Sequence, residues 1–145
     1  MNCYIDSSVV LRYLLAGDTG FHKVEEFEKI GSSELLFIEC SRVLQRYRLD
    51  GGLTDSQLEA AVTHFHEIYD AFHIFDMGPQ VKARSAGPFP TTIGTLDALH
   101  LSTAILWSEQ ERSPLLLFTY DQQMKTCAHA MGLHSFPTSR SNRSY

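Results

Sequence analysis

Short apolar runs alternate with stretches of helical periodicity along most of this chain. Cys3-Tyr4-Ile5 is an apolar run cut off by Asp6 and reads as a buried strand. Ser7 is placed to cap a helix over Ser8–Leu15, ended by Gly17. Thr19–Ile30 reads as a second helix, stopped by Gly31. Leu35–Ile38 is four consecutive apolar residues and reads as the second strand, with Glu39 at its end and a helix beyond it. Gly51-Gly52 ends that helix, and Thr54 with Gln57 forms a capping-box pattern for a helix over Asp55–Tyr69. His73–Phe75 reads as a short strand and Pro79–Ser85 as a short helix. After the loop Gly87–Pro90, Thr95 is placed to cap a helix over Leu96–Trp107. Leu115–Phe118 is a wholly apolar strand, Gln122–Met131 a helix, and His134–Phe136 a last edge strand.

Strands alternating with helices predict an α/β fold, a parallel sheet covered by helices on both faces. With 145 residues the chain is the size of one domain, expected over 1–136, with 137–145 a polar tail carrying Arg140 and Arg143. A hydrophobic share of 43% and a charged share of 20% fit a folded soluble protein and exclude a disordered one. Twelve Lys and Arg against 17 Asp and Glu leave a net charge of −5. No global basic field therefore draws in a polyanion, and a local basic patch or a bound cation must do so. Cys3, Cys40 and Cys127 lack zinc-site spacing and read as reduced thiols of a cytoplasmic protein. Asp6 and Arg12 interrupt the only apolar start, so no signal peptide is expected. No apolar run approaches the roughly 20 residues that span a bilayer, so no membrane partner is expected.

In open α/β sheets, ligands bind beyond the carboxyl ends of strands. Asp6, Glu39 and Asp121 each follow an apolar run, and Asp97 opens the helix before the last apolar strand. One such acid is ordinary helix capping. Four directed at one sheet edge repel one another and call for a cation. Oxygen donors without His or Cys favour Mg²⁺ or Mn²⁺ over zinc.

These residues carry a family likeness. Asp6-Ser7-Ser8, Glu39, Leu96-Asp97-Ala98-Leu99-His100-Leu101 and Thr119-Tyr120-Asp121 resemble the four signature sites of PIN domains, most closely those of VapC toxins, across about residues 2–136. The resemblance implies a three-layer α/β/α sandwich and a metal-dependent endoribonuclease, with RNA as substrate and a cognate antitoxin as partner. It further implies a homodimer. Asp6 and Asp97 fall where the family holds its metal, Glu39 where it ligates or orients water, and Asp121 where it binds a second ion or a metal-bound water. Ser8 and Thr119 match small hydroxyl positions that steady those carboxylates. The proline-containing stretch Ala86–Gly94 departs from the usual lead-in to Asp97 without touching the quartet.

Arg42 and Arg46 share a helical face with Glu39, three and seven residues on, and are the candidate phosphate contacts; Arg12 is another. His64 and His66 are two apart and face different ways, whereas His100, three residues after Asp97, belongs to packing or to a substrate contact. Trp107 reads as a core anchor, and Asp76 is left outside the site because its strand reads as an edge. A phosphatase would need a second Asp where Ser8 stands, and no Gly-x-x-x-x-Gly-Lys loop is present. The alternative from another class is a non-catalytic PIN-fold module that binds a partner or RNA.

Overall fold

The computed structural model describes residues 1–138. The end of the expected tail, 139–145, lies outside the described residues. The chain runs β1 (Asn2–Ile5), α1 (Ser7–Ala16), a 3₁₀ helix (Thr19–Glu26), β2 (Ile30–Ser33), α2 (Leu35–Leu49) and α3 (Asp55–Ala71). It continues through β3 (His73–Phe75), α4 (Pro79–Ser85), α5 (Thr95–Glu111), β4 (Leu115–Phe118), α6 (Gln122–Ala130) and β5 (His134–Phe136). The strands form one five-stranded sheet in the order β3-β2-β1-β4-β5, every pair parallel.

Side-chain parity decides which helix each strand supports. From β1, Cys3 and Ile5 face a core built with Val9, Val10, Leu36, Cys40, Leu44 and Phe65 of α1–α3. Tyr4 faces the other way, into a core of Leu101, Ala104, Trp107, Leu117, Met124 and Cys127. Phe118 of β4 joins the first core and Leu115 and Leu117 the second. Helices therefore cover both faces, and the expected α/β/α layering with a central parallel sheet is what the chain adopts. The order reverses between β1 and β4, so the crevice of a parallel sheet opens beyond the carboxyl ends of those two strands.

Two expected elements are corrected. Leu35–Ile38 is not a strand but the first turn of α2. Leu36, Cys40 and Leu44 are buried at a spacing of four, whereas Phe37 and Ile38 stand exposed, which is helical phase. The second strand lies just upstream, at Ile30–Ser33, so Thr19–Ile30 is not one helix: a 3₁₀ helix ends at Glu26. Gly31 is consequently a strand residue rather than a helix stop. A Cβ on it would fall 2.8 Å from Trp107 Cζ3 and 2.9 Å from Phe75 Cε2, so its missing side chain admits the indole. Ser32 and Ser33 are fully buried; the Ser32 hydroxyl donates to the Ile5 carbonyl at 2.6 Å. Two caps move by one residue, with Asp6 at the N-cap of α1 and Gly94 at that of α5. The Thr54–Gln57 capping box forms as expected.

Candidate functional site

Asp6 follows β1 directly and is 3% exposed. Burial pushes its carboxyl above the ordinary range, and two hydroxyl donors pull it back. Ser8 donates to Oδ1 at 2.6 Å and Thr119 to Oδ2 at 2.5 Å. Each hydroxyl also accepts a backbone N–H from the β4–α6 loop. Tyr120 N–H reaches Ser8 Oγ and Asp121 N–H reaches Thr119 Oγ1, both at 3.0 Å. The start of α1 and the end of β4 are thus tied together through Asp6, across the strand pair where the sheet order reverses.

Asp121 is the N-cap of α6, its Oδ1 accepting from Met124 N–H at 2.9 Å. Asp97 stands in the first turn of α5, half-buried. Its carboxyl is pushed up to about 6, first by burial and then by the charges of Asp121, Asp6 and Glu39, with His100 pulling the other way. The other three acids are therefore close enough to Asp97 to act on it.

Glu39 reaches this group from a place other than the one expected. It sits in the second turn of α2, not at a strand end. Its Oε1 lies 2.5 Å from His100 Nε2, and Ser7 donates to its Oε2 at 3.4 Å. The acid that does follow β2 is Glu34, and its carboxylate accepts from Met77 N–H at 2.8 Å. Asp76 follows β3, which is an edge strand, as expected.

The arrangement is an electrostatic cluster of four acids rather than a closed cage. Among the described residues, no group of three or more His, Cys, Asp or Glu side chains is disposed to hold a metal ion. The donor set is nonetheless oxygen-only, and burial first and the neighbouring acids second raise the Asp97 carboxyl. That fits a hard divalent cation, which keeps several of its waters.

Arg42 and Arg46 are exposed on α2 and, with Ser41, Gln45, Leu49 and Asp50, line a groove. Neither makes an ion pair among the described residues, whereas Arg48 is held by Asp55 at 2.5 Å. Arg12 stacks over the Tyr120 ring, 4.2 Å from its centroid, beside Asp121 in the chain. His64 and His66 are engaged with Tyr13 and Phe37 rings. His100 is the functional residue that sequence reasoning undervalued: it is buried, yet it bonds a member of the quartet. Its spacing of three from Asp97 was the available signal.

The family model of the PIN domain matches residues 3–129. This chain belongs to the PIN domain family. Solved structures share the fold of this PIN domain at low identity. VapBC2 from Rickettsia felis, bound to a DNA fragment from their promoter, matches with TM-score 0.64 and 14% identity, covering 93% of this chain and 97% of that one. A toxin–antitoxin complex from Klebsiella pneumoniae matches with TM-score 0.58 and 15% identity over 85% and 89% of the two chains. PAE2754 from Pyrobaculum aerophilum matches with TM-score 0.58 and 18% identity over 93% and 83%. No curated protein matches this PIN domain in sequence. No helix among the described residues is long and apolar enough to cross a membrane.

Proposed function

We propose that the chain is a metal-dependent endoribonuclease, the VapC-type toxin of a type II toxin–antitoxin pair. The observation that carries this reading is the convergence of acidic charge on Asp97 from Asp121, Asp6 and Glu39, beyond the reversal of strand order. Family membership supports nuclease chemistry, and the likeness to chains of two toxin–antitoxin complexes supports an antitoxin partner. Asp6, Asp97, Glu39 and Asp121 are the residues that would hold Mg²⁺ or Mn²⁺. When bound, such an ion neutralises charge developing on a phosphodiester and acidifies water. Ser8 and Thr119 fix the Asp6 carboxylate so that its oxygens do not swing with substrate. Glu39 orients the attacking water, and Arg42 and Arg46 contact RNA phosphates next to the acids. Homodimers in the cytoplasm complete the proposal.

Purified protein should cut RNA in Mg²⁺ or Mn²⁺, stop in chelator and resume on adding back the metal. Asp97→Asn should abolish cutting while the circular dichroism spectrum stays native. Cutting that persists in chelator, or that is equal in the variant and the wild type, overturns the assignment.

A further inference from the structure

A chain of side-chain hydrogen bonds runs from the sheet interior to the quartet. Tyr4, with no exposed surface, brings its hydroxyl within 2.7 Å of His100 Nδ1. His100, 1% exposed, brings Nε2 within 2.5 Å of Glu39 Oε1. Strand parity sends Tyr4 to the α5 side of the sheet, and a spacing of three residues puts His100 on the Asp97 face of α5. Three elements, β1, α5 and α2, are thereby locked at one carboxylate oxygen.

The chain has a direction. Tyr4 is a phenol that keeps its proton at neutral pH, and at 2.7 Å it can donate that proton to Nδ1. With the imidazole neutral, the ring proton then sits on Nε2 and donates to Glu39. Were the tautomer reversed, the Nε2 lone pair would face a carboxylate oxygen.

We infer that His100, its tautomer set by Tyr4, is a positioning residue that holds Glu39 in its working orientation. The inference rests on the nuclease reading and adds to it the means by which Glu39 is aimed. A core histidine needs a partner for each nitrogen, and packing alone would be satisfied by any acceptor or water. Here the partner of Nε2 is a quartet acid, and among the described residues the other side-chain bond that Glu39 makes is a long one from Ser7. A glutamate has one more torsion than an aspartate to immobilise, and His100 fixes its far end.

The test is a double-mutant cycle with a spectroscopic check. His100→Leu should lower kcat by about 10- to 100-fold, with KM for RNA little changed, and weaken Mn²⁺ binding followed by electron paramagnetic resonance. His100→Gln retains an N–H donor at the position of Nε2 and should recover most of that loss. In a Glu39→Gln background, His100→Leu should cost nothing further in kcat or in Mn²⁺ affinity. Nitrogen NMR of the metal-free protein should find the His100 proton on Nε2, and Tyr4→Phe should erode that preference. Additive losses in the cycle, no rescue by Gln, or a proton on Nδ1 overturns the positioning role. Equal RNA cutting by wild type and Asp97→Asn in the same assay would instead sink the nuclease reading on which it stands.

Discussion

Asp97→Asn separates function from stability, because burial of the Asp97 carboxyl first, and the crowding of acids around it second, destabilise the protein when no cation is bound. In the unfolded chain the carboxyl releases its proton near pH 3.8, and in the folded chain near pH 6. The folded state holds the extra proton between those values. The stability this group confers is therefore full below pH 3.8 and lost as pH rises through about 6. At 1.36 kcal/mol for each tenfold change in proton affinity, the full displacement corresponds to roughly 3 kcal/mol. Asp97 is half-buried, and solvent screening brings the expected effect to about 1 kcal/mol. The neutral, isosteric amide escapes both the cost of burying a charge and the repulsion. In chelator at pH 7.5, Asp97→Asn should melt about 3 °C above wild type. The gain should shrink as pH falls through 6 and nearly vanish near pH 4. Mg²⁺ should reverse the ranking, since an ion at about 100 times its Kd stabilises wild type by roughly 2.7 kcal/mol and finds a depleted site in the variant. Thermal melts followed by circular dichroism across pH, with and without Mg²⁺, read all of this. A variant no more stable than wild type at neutral pH in chelator, or a gain that persists unchanged to pH 4, refutes the electrostatic account of the quartet.

Thr119→Val leaves Asp6 Oδ2 and the Asp121 N–H without their shared hydroxyl, and urea unfolding should show a loss of about 1–3 kcal/mol together with reduced cutting. Gly31→Ala forces a methyl against Trp107 and Phe75; a loss of roughly 1–3 kcal/mol in the same assay is expected, and a neutral result would show that the indole relocates freely. Arg42→Ala should weaken RNA binding and reduce the slope of log affinity against log salt by about 1; an unchanged slope rejects a phosphate contact.

What the chain revealed in advance was charge at strand ends, and what it concealed was which charge had a partner. Asp6 and Asp121 were legible because β1 and β4 are apolar runs ended by a turn and an acid. Glu39 was selected for a wrong local reason. Four apolar residues in a row, Leu35–Ile38, satisfy a buried strand as well as a helix turn, and only the burial of every fourth residue from Leu36 tells them apart. The true strand hid behind Gly31-Ser32-Ser33, which is polar on paper and dry in the fold because a serine hydroxyl finds the Ile5 carbonyl and a glycine admits Trp107. Applied to that strand, the strand-end rule would have chosen Glu34, whose carboxylate is spent on a backbone N–H. An acid at a strand end is thus a statement about the backbone alone. Whether the acid joins a site depends on whether its oxygens are left for one, and the bonds that settle this are long-range. Ninety-six residues separate Tyr4 from His100, and 61 separate His100 from Glu39. Local periodicity carries no record of such pairings. The histidine three residues past Asp97 could be read as core or as site because it is both: its burial is what makes its bond to Glu39 rigid enough to aim a carboxylate.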